Sequence, residues 1–165
     1  MLEWRHPVTI VTKGAAILRD LDLLEELAEL GLVEAHVSLT TLDNELKRRL
    51  EPRTAGPAKR LNMIHQLSAR GIPTGVLTAP IIPALNDHEL ERLLENAAAH
   101  GARIAGYVLL RLPHEVEGLF VEWLQEHYPD RAEHVLSLVR QLSGGALYDS
   151  QFHRRQRGAG PFAAL

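Results

Sequence analysis

Short runs of β-branched residues alternate with longer stretches of helical period along this chain. That alternation restricts the fold to right-handed β/α crossovers around a parallel sheet. Pro7 to Thr12 reads as a strand ending at Lys13-Gly14, and Arg19 to Leu30 as a helix whose stripe is Leu21, Leu24, Leu27, Ala28 and Leu30. Val33 to Thr41 is a second strand. Asp43 caps a helix that starts near Asn44 and ends at Glu51-Pro52, and a longer helix spans Pro57 to Arg70 with Leu61, Ile64 and Leu67 inward. Thr74 to Ile82 is a third strand, interrupted by Pro80. Asn86-Asp87 then caps a helix over Glu89 to Ala99, with Glu91 in its first turn. Arg103 to Arg111 is a fourth, nearly uninterrupted apolar strand. Helices over Val116–Glu126 and Arg131–Leu142, separated by Pro129, precede an irregular tail from Ser143 to Leu165.

Strands that are apolar almost throughout suit a sheet covered on both faces or closed into a barrel. Four units cannot close an eight-stranded barrel, so the choices are a small doubly wound sheet and part of a barrel. Only six residues precede Pro7, and the chain reads as the later portion of a longer barrel. Its 165 residues lie within the range of one domain, expected here over residues 1–165. A formal net charge of −3 gives no global reason to invoke nucleic acid or an anionic membrane. Apolar runs of roughly eight residues fall far short of the ~20 needed to span a bilayer, and the N-terminus MLEWRHP lacks a signal-peptide core, so a cytoplasmic protein without membrane partners is expected. The chain contains no cysteine, which removes disulfides, thiolate catalysis and Cys-ligated metal from its own repertoire.

Chemistry in parallel α/β folds gathers at the carboxyl ends of the strands. Thr12 and Lys13, Ser38, Thr40 and Thr41, Thr78, and Arg111 and His114 fall there. Cations and hydroxyls around one mouth suit a ligand with a carboxylate and a ribose. Each also has a plainer reading: Lys13 as a solvated charge, Ser38 and Thr40 as strand hydroxyls on one face, and Asn86 and Asp87 as helix caps. Arg111 is costly to bury unpaired and calls for an acidic partner or an anionic ligand. The nine histidines show no metal-ligand spacing, and no GxGxxG, Walker loop or GxSxG occurs. No catalytic residue and no metal ligand is assigned. The segment Phe152 to Arg157, with Arg154, Arg155 and Arg157, is a basic cluster that either packs its aromatics on the domain or contacts nucleic acid.

The segments HPVTIVTK (6–13), VSLTT (37–41), LEPRTAGPAKRL (50–61), APIIPALND (79–87) and AGYVLLRLPHEV (105–116) resemble radical S-adenosylmethionine (SAM) enzymes related to spore photoproduct lyase. The run from Phe120 to Phe152 is similar to a bacterial subfamily of that group. The resemblance implies a partial (β/α) barrel holding a [4Fe-4S] cluster on a CxxxCxxC loop, with SAM cleaved to a 5′-deoxyadenosyl radical. It implies that Lys13 and Ser38 contact the SAM carboxylate and ribose, that Arg53 of the EPR segment is a further carboxylate contact, and that the APIIP strand packs near adenine. Thr40 and Arg111 complete the candidate cofactor-binding set. The CxxxCxxC loop and the Gly-Gly-Glu-like segment have no counterpart here, and without thiolates a cluster has no ligands.

The expectation is therefore an α/β chain, a partial (β/α) barrel of about four parallel strands, forming a portion of a radical SAM enzyme. Its parent would act on an undefined substrate, with nucleic acid a candidate class, while the chain alone would be inactive and hold neither SAM nor a cluster stably. A homo-oligomer, or pairing with a missing N-terminal segment, is expected to cover the open side. The alternative is a non-catalytic α/β domain that binds a ligand or a protein. A third option, a doubly wound enzyme using Lys13 as base or Schiff-base lysine, has no supporting sign of burial.

Overall fold

A computed structural model describes residues 3–143 and 145–147. Four strands form one sheet in the order β1 (Val8–Thr12), β2 (Val33–Ser38), β3 (Thr74–Ile81), β4 (Ile104–Leu109). The pairs are parallel, with Thr12 beside Val37 and Ser38 beside Leu77. This is a parallel α/β sheet flanked by helices, the arrangement of a partial β/α barrel. The helices are α1 (Leu21–Glu29), α2 (Asn44–Leu50), α3 (Pro57–Ala69), α4 (Leu90–Ala99), α5 (Glu115–His127) and α6 (Pro129–Leu142).

The described chain divides into two compact units, residues 3–78 with 89–107, and 79–88 with 108–147. In the first, Val33, Ala35 and Val37 of β2 alternate with more exposed neighbours, as a strand buried on one face requires. They pack with Val76 of β3, Leu24 and Leu27 of α1, Met63, Ile64 and Leu67 of α3 and Leu93 of α4. Asp43 caps α2 by accepting from the Glu45 amide at 2.7 Å, and Pro57 opens α3. Gly31 and Gly71 stand at φ +67 and +72 where α1 and α3 stop, a backbone region costly to other residues.

In the second unit, the Asn86 side chain accepts from the Ile82 amide at 2.6 Å and donates to the Pro80 carbonyl at 3.0 Å. Helices α5 and α6 bury Leu124, Val135, Leu136 and Val139, and Trp123 stacks on Phe120 with centroids 5.8 Å apart.

Several expectations are corrected. The stretch before α1 is a 3-10 turn over Ala15–Asp20 rather than helix from Arg19, and Leu30 is exposed rather than part of the buried stripe. Asn86 and Asp87 do not cap α4: Asn86 closes the turn after β3, and the Glu89 side chain makes no cap there. Pro129 does not separate α5 from α6. It is the first residue of α6, where its missing N–H costs nothing, and Tyr128 alone forms the junction. Pro80 lies within β3. The apolar sequence of β4 predicted a strand covered on both faces, yet Ile104, Tyr107 and Val108 are 37, 41 and 41% exposed because β4 is an edge of the sheet. The tail 148–165, with its basic cluster, lies outside the described residues.

Candidate functional site

Lys13, Ser38 and Thr40 sit where β1 and β2 end at their carboxyl edge, since Thr12 and Val37 are the last register pair. Ser38 falls on the opposite side of β2 from Val33, Ala35 and Val37 by strand alternation. Both Ser38 and Thr40 are buried, at 2 and 4% exposure.

A carboxylate absent from the sequence-derived set organises this edge. Glu51, one residue beyond α2, accepts from Lys13 Nζ and from Thr40 Oγ1 (3.1 Å) on Oε1. Its Oε2 accepts from Arg60 Nη2 and lies 3.3 Å from Thr54 Oγ1. The Arg60 side chain is 2% exposed and spends its other donors on the same loop and on the end of β2. Nε donates to the Ala55 carbonyl at 2.8 Å, Nη1 to the Ser38 carbonyl at 2.9 Å, and Nη2 also to Thr54 Oγ1. Lys47, itself buried, donates to the Thr54 carbonyl. The segment 51–55 is thereby tied to the ends of both strands.

Burial pushes the Glu51 carboxyl up, but the hydrogen bonds and charges of Lys13 and Arg60 outweigh it and leave the group below the ordinary carboxylate range. Lys13, Glu51 and Arg60 together carry one net positive charge. Lys13 is 40% exposed and an ammonium has three donors, so it can take an anionic acceptor while keeping Glu51. The recess bounded by Leu39, Thr40, Thr41, Lys47, Leu50, Glu51, Pro57 and Arg60 has no room for a water-sized sphere, so any ligand meets Lys13 from outside it. A larger recess of about 520 Å³ lies at the other end of these strands, lined by Pro7, Val8, Thr9, Leu32, Glu34 and Pro73, away from the carboxyl edge.

Two members of the candidate set take no part in these bonds. Arg53 is exposed in the loop after Glu51 and makes no side-chain hydrogen bond or ion pair among the described residues. Arg111 belongs to the second unit; it is exposed, so the anticipated cost of burying it does not arise. Thr41 donates to the buried Glu89 at 2.8 Å, a bond that fixes the start of the loop to the residue before α4. Thr78 donates to the Gly106 carbonyl at 3.2 Å.

Arg60 was legible in principle. Positions 57, 60, 64 and 67 share one helical stripe, and a cation among apolar residues there demands a buried partner.

The Radical SAM superfamily profile matches residues 2–97. The chain belongs to the radical SAM superfamily. Among its relatives are uncharacterized protein Rv2578c of Mycobacterium tuberculosis and uncharacterized protein Mb2609c of Mycobacterium bovis. Each is 36% identical over 137 residues, 82% of this chain and 40% of the relative. Uncharacterized protein MJ0683 of Methanocaldococcus jannaschii is 30% identical over 88 residues, 53% of this chain and 33% of its own. The chain thus spans about two fifths of the mycobacterial relatives' length. No solved structure matches it. This radical SAM chain has no helix among its described residues long and apolar enough to cross a membrane.

The family's two groups fit these residues differently. A [4Fe-4S] cluster needs thiolates, and a chain without cysteine offers none. Among the described residues no three His, Asp or Glu side chains gather at one point either. SAM fits better. The Ser38 hydroxyl is buried and makes no hydrogen bond among the described residues, while Lys13, like Ser38 one residue past the pair of Thr12 with Val37, has donors to spare.

Proposed function

We propose that this chain is the SAM-positioning portion of a radical SAM enzyme of the spore photoproduct lyase-related type, one partial-barrel domain over residues 1–165 acting in the cytoplasm. Lys13 and Ser38 receive the carboxylate and ribose, Thr40 shapes the same edge, and Arg53 is a further anion contact. The observation that supports this reading is the buried Ser38 hydroxyl, without a hydrogen bond among the described residues, at the same strand end as a half-exposed Lys13 that Glu51 holds. Unpaired buried hydroxyls cost about 1–3 kcal/mol, and a ligand oxygen would remove that cost.

When bound beside a reducing cluster, SAM supplies a 5′-deoxyadenosyl radical for hydrogen abstraction. In the whole enzyme the abstraction acts on a substrate for which nucleic acid is one candidate class. No thiolate of this chain can hold that cluster, so the radical step lies outside these 165 residues. The chain alone is inactive in this account and holds SAM weakly. Calorimetry with SAM should show weak or no heat, and anaerobic iron and sulfide should leave the protein colourless; an assembled cluster overturns this account. In a longer protein carrying this segment, Lys13→Ala and Ser38→Ala should each depress SAM cleavage, and normal cleavage removes that residue from the site.

A second reading is a non-catalytic α/β domain that binds a ligand or protein. It draws on the exposed apolar residues Val11, Ile104, Tyr107 and Val108. In either reading an edge of this kind favours pairing with a second copy or with another segment. A monomeric mass by sedimentation at high concentration would count against self-association.

A further inference from the structure

The chain has three lysines in three environments. Lys47 is buried and donates to the Thr54 carbonyl. Lys59 is exposed in the first turn of α3 and has no ion-pair partner among the described residues. Lys13 is half-exposed at the end of β1, where a four-carbon stem would sample many positions if left alone. One contact fixes it, the bond to Glu51 Oε1. That oxygen is itself fixed, because its partner oxygen is bonded to the buried Arg60, whose Nη1 reaches back to the Ser38 carbonyl. A continuous set of bonds thus runs from the Ser38 backbone through Arg60 and Glu51 to the Lys13 ammonium.

We propose that Glu51 is a positioning residue that presents Lys13 to an anionic ligand at the Ser38 hydroxyl and stays bonded to it when the ligand binds. This rests on the SAM reading for the ligand's identity, though not for the hold on Lys13. Two features argue that Glu51 is retained rather than displaced. Its carboxylate is bonded on both oxygens and only 9% exposed, so expelling it would strand the buried Arg60 charge. Lys13 still has donors free, so a carboxylate can join without competition. With Glu51 retained, the cluster's single positive charge matches one ligand carboxylate.

The test is competitive amine labelling of the intact chain with a limiting acylating reagent, reading Lys13 by mass spectrometry against Lys59 as the internal standard. An ammonium held in an ion pair must leave it before nitrogen can attack. Glu51→Gln keeps the side-chain volume and an acceptor for Arg60 but turns an amide N–H₂ towards Lys13. The Lys13:Lys59 labelling ratio should rise about two- to fivefold, the range for a half-exposed pair. Thr40→Val removes the second bond to the same oxygen and should move the ratio in the same direction by less, which keeps the test open if Glu51→Gln folds poorly. An unchanged ratio in folded variants overturns the proposal and leaves the SAM reading standing. A parallel NMR titration with SAM separates the two. Shifts at Ser38 in the wild type should shrink equally in Lys13→Ala and Glu51→Gln. If the labelling ratio rises while Lys13→Ala leaves the shifts unaltered, the ligand reading fails and takes the proposal's ligand with it.

Discussion

The edge around Glu51 and the strand β4 are both parts of one sheet, yet they treat their side chains oppositely. At the first, the side chains of Lys13, Thr40 and Thr54 and the Ser38 and Ala55 carbonyls are drawn into bonds around a carboxylate and a guanidinium that scarcely touch water. At the second, Ile104, Tyr107 and Val108 stand in solvent although their sequence is nearly all apolar. Residue type alone predicts the reverse, with charges outside and Ile and Val inside. The difference shows what each region is constrained by. The Glu51 cluster is over-determined, one carboxylate bonded to two cations, and fixes a short loop to two strand ends. The exposed β4 side chains have no such bonds among the described residues and leave about two fifths of their surface for something else to cover.

If that contrast is right, substitutions in the two regions should differ sharply in cost. Arg60→Ala should be the most damaging, since it removes four hydrogen bonds and strands a buried Glu51 carboxylate. A loss of about 3–5 kcal/mol in denaturant unfolding is the range for breaking a buried pair. A loss under 1 kcal/mol would show that the cluster is not the tie described above. Gly75→Ala is next. A β-carbon there would lie 2.5 Å from His36 Nδ1 and 3.1 Å from the Ile104 carbonyl, so the His36 ring must leave its bond to Glu34. About 1–3 kcal/mol is expected for such overpacking, read from the same melts.

Acid should separate the regions next. Because the Glu51 carboxyl is lowered in the folded chain, its contribution is complete above the unfolded value of about 4.3 and is lost as the pH falls through its own lower pKa. Wild type should therefore lose stability more steeply than Glu51→Gln over that acid window, and the two should run parallel near neutrality. The smallest change belongs to β4. Tyr107→Ser with Val108→Thr should alter stability by about 0.5 kcal/mol or less while reducing any concentration-dependent mass in sedimentation. A large loss of stability would mean that these side chains are packed after all.

The alternation of β-branched runs with helical periods placed all four strands and six helices, because hydrophobic period carries that information directly. It misplaced the details that depend on what surrounds an element. The apolar run of β4 cannot say whether anything covers it. Asn86 looked like a cap for α4 because Asn serves caps and turns equally well, and the turn won. The place of Lys13, Ser38 and Thr40 at the carboxyl ends of β1 and β2 was legible because strand boundaries in parallel folds fix where such residues go. Glu51 was not, since Glu51-Pro52 reads first as a helix terminator. Its role depends on Arg60, nine residues on, whose place in the buried stripe of α3 is visible only when that stripe is read for charges as well as for leucines.

The most direct measurement of the central claim is the Lys13:Lys59 labelling ratio in wild type and Glu51→Gln. The account predicts a low ratio in the wild type, with Lys13 protected although it is half-exposed, and a rise of about two- to fivefold once Glu51 loses its charge. Equal ratios in two folded proteins would contradict it, because Lys13 would then be an ordinary solvated amine and the edge of β1 and β2 would present no fixed cation to any ligand.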